Sequence, residues 1–399
     1  MENKIKDLKE SPLYNLSLVN KELFHSNFIA WFGKTYPAHF IELIEILLDK
    51  KKWLDGDKFD IRREFNHFDI SVFEGENLKL VIENKVKSVP TQNQLDEYKN
   101  KIKNENVQLI LLTMNEQLHE STSAQDNENI GWKIVNYRTL SEHLKSIIKD
   151  NIDNDYHKGL LTDYCTYISN LESVIEDYTE NEKYFDKEKY TTLKELGIHD
   201  VCGKREMQDV YNKLVKILND EGIATNNSDV LVKWAYTNAE PLIEVKFTNK
   251  NDNIFIQIQG YQYRHAVEFF DYKIGDRIEK KEKGFYPSEA GIEYLTDTYP
   301  YFFGEDSIKN YPDLENDTKE FGMRKKQGFC KYCNGKPLAN GYISCWVYQW
   351  IKIPEDITKD NLINAIYDDT QKIINFLKDS ENGEIEVKLT SNNENHERP

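Results

Sequence analysis

The stretch HFDISVFEGENLKLVIENK, residues 67–85, decides the fold. Two strand-like runs flank Gly75-Glu76-Asn77, the composition of a tight β-hairpin connection. A three-residue loop at that point sets Asp69 opposite Glu83 and Ser71 opposite Val81. Side chains alternate along a strand, so Phe68, Ile70, Val72, Leu80 and Ile82 share one face, all apolar. His67, Asp69, Ser71, Lys79, Glu83 and Lys85 share the other. A slip of one residue would turn the apolar set toward water, so the pattern itself specifies the register. That register brings two carboxylates together beside a lysine. Like charges directly opposite one another destabilise a sheet, and two close carboxylates need a cation or a proton between them. Carboxylate oxygens suit Mg²⁺, which keeps several waters and also accepts phosphate oxygens. The plainer alternative is a solvated sheet face on which Lys85 neutralises Glu83.

Upstream, NKELFHSNFIAWFG (residues 20–33) sets Phe24, Phe28, Trp31 and Phe32 at helical spacing, with Asn20 as N-cap and Gly33 as stop. A second helix, 37–50, opens at Pro37, and 58–66 reads as a strand. Downstream, residues 91–103 read as a helix capped by Thr91, VQLILLT (107–113) as a buried strand and WKIVNY (132–137) as another. Helical patterns follow over 138–150 and 153–177. This order predicts an α/β fold, a mixed sheet flanked by helices. The charged stretch 178–196 separates a first domain, 1–180, from a second, 181–390. The second reads as α+β: a helix over 205–219, strands over 229–236, 242–248 and 253–260, a long irregular region, then a strand over 342–352 and a helix over 359–378. The polar tail 391–399 has the composition of a disordered segment.

The 399 residues carry a net charge of −17, most of it beyond residue 150, and 39% are hydrophobic, enough for two cores. Bulk charge gives no support for strong non-specific attraction to DNA, although an acidic protein can bind phosphates locally, especially through a bound cation. No apolar run is long enough to span a bilayer, and MENKIKDLKE lacks the apolar core of a leader peptide. Five cysteines are few and odd in number, against a disulfide scaffold. The expectation is a soluble cytoplasmic protein with no membrane partner; homo-oligomerisation is left open.

Asp69 on one strand and Glu83-Asn84-Lys85 at the end of the next resemble the motif of the PD-(D/E)XK nuclease superfamily. Phe68 stands where the motif's proline would precede the aspartate. Gln94-Leu95-Asp96-Glu97-Tyr98 is similar to the Q-x-x-x-Y motif of its RecB-like and lambda-exonuclease-like branches; Gln94 and Tyr98, four apart, share a helix face. KELFHSNFIAWF resembles the helix before the sheet in a bacterial subfamily, where an acidic residue is followed by His-Ser. Glu22, His25, Ser26 and Ile29 fall in one sector of that helix, offset from the aromatic stripe. The resemblance covers residues 20–115 and implies a restriction-endonuclease-like core.

It also implies metal-dependent hydrolysis of phosphodiester bonds in DNA, in bacterial defence or repair, leaving 5′-phosphate and 3′-hydroxyl ends. Asp69, Glu83, the Asn84 carbonyl, Glu22 and His25 would hold Mg²⁺ or Mn²⁺. Lys85 would orient the attacking water and neutralise the phosphate, with Gln94 and Tyr98 positioning the substrate. For His25, a histidine satisfied at the edge of the core is the plainer reading. Two alternatives in function stay open: a nuclease fold kept as a binding or sensing module, and an RNA-cleaving effector. The site reads phosphates rather than bases, which leaves DNA and RNA unseparated.

Two further signals lie in the second half. Cys330-Lys331-Tyr332-Cys333 is a CxxC without a second pair, short of the four ligands of a structural zinc site. Residues 321–340 hold Arg324, Lys325, Lys326, Lys331 and Lys336 with no acid, interleaved with Phe329 and Tyr332. That composition suits nucleic-acid contact and equally suits a solvated loop. His265 and its aromatic neighbours Tyr261, Tyr263, Phe269 and Phe270 read as strand and core.

Overall fold

The structure, a computed structural model, describes residues 1–16, 22–54, 58–86, 92–102, 106–114, 131–223, 230–237, 240–249, 252–271, 275–281, 284–312, 314 and 343–380. The described residues divide into two compact units, Met1–Glu180 with Thr191–Arg205, and Asn181–Tyr190 with those from Glu206 to Ser380. Among the described residues no helix is long and apolar enough to cross a membrane. The proposed caps Asn20 and Thr91, the CxxC, the basic segment with Arg324, Lys325, Lys326 and Lys331, and the polar tail lie outside the described residues.

The first unit is built on one five-stranded sheet in the order β1 (Asp60–Phe65), β2 (Phe68–Glu74), β3 (Asn77–Lys85), β4 (Gln108–Thr113), β5 (Lys133–Asn136). β1, β2 and β3 run antiparallel; β3, β4 and β5 run parallel. Helices α1 (Glu2–Glu10), α2 (Pro12–Leu16), α3 (Glu22–Thr35), α4 (Pro37–Leu48), α5 (Gln92–Asn100), α6 (Tyr137–Asn151) and α7 (Asp155–Thr179) complete it. A central strand buried on both faces reads as an unbroken apolar run, as LVI in β3 and LILL in β4 do. Leu80, Ile82, Ile110 and Leu112 join Ile70, Val72 and residues of α3, α4, α6 and α7 in the larger core. Val81, Leu109 and Leu111 join Phe68, Leu95 and Trp132 in a smaller one. This is the mixed sheet flanked by helices of a restriction-endonuclease-like core.

Three local details differ from the sequence expectation. The hairpin loop has two residues, because Glu74 pairs with Asn77 and Phe73 with Leu78. Gly75 takes a φ of 62° there, which costs a glycine little. A bulge at Val72/Phe73 then restores the pairs Val72–Leu80, Ser71–Val81 and Ile70–Ile82 that the apolar pattern demands. Phe68 leaves the Ile70 face and packs with Val81 and Leu95, its ring 6.0 Å from that of Tyr98. The ladder ends at Ile70–Ile82, so strict alternation no longer binds the residues before it. Gly33 does not stop α3, which runs on to Thr35. A Cβ at Gly33 would meet Ile61 Cδ1 at 2.4 Å and Phe40 Cδ2 at 2.9 Å, so the glycine serves close packing.

The second unit holds an antiparallel sheet in the order β12 (Ile343–Lys352), β9 (Gln262–Asp271), β8 (Asp252–Gln259), β7 (Glu240–Asn249), β6 (Val230–Thr237). A separate hairpin pairs β10 (Ile278–Lys281) with β11 (Gly284–Pro287). Helices α10 (Glu289–Thr298), α11 (Pro300–Phe303) and α12 (Lys359–Ser380) belong to it as well, while α8 (Lys187–Glu195) and α9 (His199–Asp220) each have residues in both units. β9 falls in the stretch between the strands 253–260 and 342–352 that was expected to be irregular, although His265 and its aromatic neighbours there read as strand and core. Its inward positions Tyr263, His265, Val267 and Phe269 alternate properly, but a histidine and a tyrosine among them blur the hydropathy period.

Candidate active site

Where β3 ends, the buried apolar run gives way to polar residues that stay buried: Glu83 is 2% exposed and Lys85 8%. Lys85 Nζ lies 2.8 Å from Glu83 Oε1. Glu83 Oε2 is buried and meets no hydrogen-bond partner. Asp69, one residue before the ladder closes, turns its carboxylate onto the neighbouring strand, where Oδ2 accepts the Asn84 main-chain N–H at 2.8 Å. A side chain thus takes the place of a missing ladder bond and holds both carboxylates at one strand end. Arg63 on β1 braces the arrangement by donating from Nε to the Asp69 main-chain carbonyl at 2.6 Å.

The start of α3 is fastened to the same point. The fully buried Asn84 amide donates to the Glu22 carbonyl at 2.8 Å and to Ser26 Oγ at 3.0 Å, and Tyr137 Oη donates to Asn84 Oδ1. Ser26 Oγ itself donates to the Glu22 carbonyl at 2.9 Å. The Glu22 side chain accepts the Val86 main-chain N–H at 3.1 Å, one residue past β3. Glu22 is therefore positioned by backbone and amide contacts from both sides of Lys85.

Burial raises the Asp69 carboxyl above the usual aspartate range; the Asn84 N–H and Lys85 oppose the shift and Glu22 adds to it. Glu83 is raised in the same way, by burial first and by Asp69, against the pull of Lys85. Burial alone would lower the Lys85 ammonium, but Glu83 and Glu22 outweigh it and the group is raised. A lysine so placed keeps its proton at neutral pH. On α5, Gln94 Nε2 donates to Tyr98 Oη at 3.3 Å, and Lys85 Nζ stands 5.9 Å from the Tyr98 ring centroid. Burial and the Glu83 charge raise the Tyr98 hydroxyl.

Five of the sequence candidates, Asp69, Glu83, Lys85, Gln94 and Tyr98, are linked by these contacts to one another, with Asn84 and Glu22 beside them. His25 is held elsewhere. Its Nδ1 lies 3.1 Å from Tyr164 Oη and its Nε2 3.4 Å from Tyr167 Oη, with no solvent exposure. Burial lowers it to about 3, so it is the neutral ring, with one donor and one acceptor, that the tyrosines answer. That arrangement leaves neither nitrogen for a cation. Sequence reasoning passed over Arg63 and Tyr137. Arg63 belongs to the strand RREF and Tyr137 opens a helix after WKIVN, and nothing in either segment marks a site. Asn84 was read for its main-chain carbonyl; its side chain is the clamp.

Among the described residues no three His, Cys, Asp or Glu side chains converge on one point. The donor set nevertheless fits a hard divalent cation. Mg²⁺ is commonly held by one or two carboxylates, the rest of its shell being water and substrate phosphate. Asp69 and Glu83 supply two, and Glu83 Oε2 is a buried oxygen without a partner.

Residues 13–166 match the family model described as the PD-(D/E)XK nuclease superfamily. No curated protein and no solved structure matches the chain. The matched segment spans the whole sheet and every residue of the Asp69–Glu83–Lys85 constellation. Over residues 13–166 the chain is thus similar to the PD-(D/E)XK nuclease superfamily.

Proposed function

We propose that the chain is a nuclease dependent on Mg²⁺ or Mn²⁺ that hydrolyses phosphodiester bonds in DNA. The observation that supports this reading is Glu83 Oε2, a buried carboxylate oxygen left without a partner beside Asp69 and Lys85. Asp69 and Glu83 would hold the cation, with the Asn84 carbonyl and Glu22 at its edge. When bound, the cation lowers the pKa of water and stabilises charge on the phosphate. Lys85, kept protonated by Glu83 and Glu22, acts as a donor and a counter-charge rather than as a base. It orients water and neutralises the scissile phosphate. Tyr98 and Gln94 form one wall of the site from α5. Glu22, held through the Asn84 clamp, keeps the negative field at the strand end. The segment from 181 onward selects the substrate, and the setting is cytoplasmic, in bacterial defence or repair.

The test is incubation of the full chain with labelled DNA and RNA in EDTA, Mg²⁺ or Mn²⁺. DNA cleavage with either metal, none in EDTA, and 5′-phosphate ends are expected. Cleavage that persists in EDTA overturns the metal assignment, and cleavage of RNA alone overturns the substrate. A readout apart from activity is thermal stability: Mg²⁺ should raise the melting temperature of the wild type, as any ligand of the native state does, but not that of Glu83→Gln.

A further inference from the structure

The sheet of the second unit has two unlike faces. On one, Val232, Val245, Ile256, Val267 and Val347 point into a buried core. The other belongs to the alternate residues: Phe255, Gln257, Gln259 and Ala266 are buried at its middle, while Lys233, Lys246, Arg264 and the aromatics of β12 are half-buried and Lys352 is exposed. Along the edge strand β12, Trp346, Tyr348 and Trp350 follow one another at every second position, each half-buried. Residues two apart on a strand are about 6.6 Å apart, so the rings form a ladder. Behind Tyr348 the paired position on β9 is Ala266, small enough for the Phe255 ring on β8 to reach Trp346, centroid to centroid at 4.3 Å.

Arg264, on β9 opposite Trp350, has its guanidinium 4.6 Å from the Tyr348 ring centroid. Three glutamine side chains aim it. Nη1 donates to Gln257 Oε1 and Gln259 Oε1, both at 2.6 Å, and Nε donates to Gln262 Oε1 at 2.8 Å. A sheet face that serves only to meet water has no need of a guanidinium held over an aromatic ring by three amides. Lys233, Lys246 and Lys352 share the face with Arg264, against the carboxylates Glu244 and Glu268. The face is basic in balance within a chain of net charge −17.

We propose that this face binds single-stranded nucleic acid. Aromatic rings on a sheet stack unpaired bases, and basic groups beside them track the phosphates. Trp346, Tyr348 and Trp350 stack bases; Arg264, Lys233, Lys246 and Lys352 meet the backbone. A duplex hides its base faces, so it gains only the phosphate contacts. The proposal takes its probe from the nuclease reading, yet requires no cleavage.

The experiment is titration of the full chain with labelled oligothymidylate in EDTA, where the metal-dependent reaction is silent. Tryptophan quenching and a preference for single strand over duplex are expected. Trp346→Leu with Trp350→Leu should weaken binding about tenfold or more. Lys233→Gln with Lys246→Gln leaves the stacking positions intact and should flatten the salt dependence by about 0.7 in log–log slope per lost contact. No binding by the wild type, equal binding by both double variants, or equal affinity for duplex overturns the proposal. So does concentration-dependent self-association that the tryptophan variant abolishes, which would make a second copy the occupant. Loss of binding in the variants, with a wild type that cuts nothing in Mg²⁺, would uphold this face and overturn the nuclease reading instead.

Discussion

Glu83 in the first unit and Asp369 in the second are both carboxylates withdrawn from water, and their surroundings differ in one respect. Asp369 Oδ2 accepts from Tyr263 Oη at 2.7 Å and pairs with His265 Nε2 at 2.7 Å, while Oδ1 accepts from Tyr301 Oη at 3.0 Å. Both of its oxygens are answered. Glu83 has Lys85 on Oε1 and no partner on Oε2. Leaving a buried polar atom unsatisfied costs about 1–3 kcal/mol, more for a charged group. Glu83 Oε2 thus carries a cost that neither oxygen of Asp369 carries. The second cluster carries its own residual cost at His265 Nδ1, buried without a partner while the Tyr311 ring stacks on the imidazole at 4.0 Å. The contrast therefore rests on the carboxylates: one closes a core, the other opens a site.

The largest expected effect separates them by activity. Asp69→Asn keeps an acceptor for the Asn84 N–H and removes a charge that Glu22 and Glu83 oppose, so the melting temperature should stay close to wild type. Cleavage should fall about a thousandfold, the several kcal/mol that a metal-held phosphate supplies. Near-wild-type cleavage by the purified variant would remove Asp69 from the site. The matching change in the second unit acts on stability. Asp369→Ala strands His265 and the Tyr263 hydroxyl in the core, while Tyr301 keeps the Asn310 carbonyl, and should cost about 3–5 kcal/mol. In a thermal scan that is a fall of about 10 °C. A variant that melts with the wild type would end the comparison, because Asp369 would then hold nothing together.

The same contrast explains what could be read from the sequence. The hairpin register survived even a wrong loop length, because an apolar face with one buried side admits only one pairing and a bulge supplied the missing residue. Asp69, Glu83 and Lys85 were legible because charges in the middle of such a pattern conflict with it. The Asn84 clamp was not, since an amide between two charged residues looks like surface until its three partners, from α3 and α6, are in place. β9 was legible through His265 and its aromatic neighbours as strand and core but not as a bounded strand, because His265 breaks the apolar period and its partner Asp369 lies far along the chain. Long-range partners of buried polar groups leave no local mark.

The next effect is a pH dependence that sets His25 apart from the site beside it. Burial lowers His25 from 6.5 to about 3. As pH falls, the unfolded chain takes up the proton first, so the contribution of this group is complete above pH 6.5 and declines as pH drops toward 3. The slope is about 1.4 kcal/mol per pH unit. Between pH 6.5 and 5 the wild type should lose about 2 kcal/mol that His25→Gln does not lose. Glutamine can still donate to one tyrosine and accept from the other, so the variant remains folded. Urea titrations at the two pH values measure the difference, and parallel losses in both proteins would mean that the ring is not held neutral.

The smallest effect makes the comparison most directly, through two matched hydroxyl deletions. Tyr137 Oη donates to Asn84 in the first unit, and Tyr301 Oη donates to Asp369 in the second. Phenylalanine at either position removes the hydrogen bond to that buried polar group, at about 1–3 kcal/mol, and at Tyr301 also the 3.2 Å contact with the Asn310 carbonyl. The two losses of stability should be alike. Their consequences for catalysis should differ, because Asn84 ties the Glu22 carbonyl and Ser26 to the strand end that carries Glu83 and Lys85. Tyr137→Phe should lower kcat about tenfold, equivalent to about 1.4 kcal/mol, with KM unchanged, since no substrate contact is lost. Tyr301→Phe should leave both constants at the wild-type value. Ser26→Ala, which removes the weaker arm of the clamp, should fall between them. Equal kcat in all three would show that the clamp holds the fold and leaves the site unaffected. A rise in KM with Tyr137→Phe would instead place Asn84 among the groups that meet the substrate.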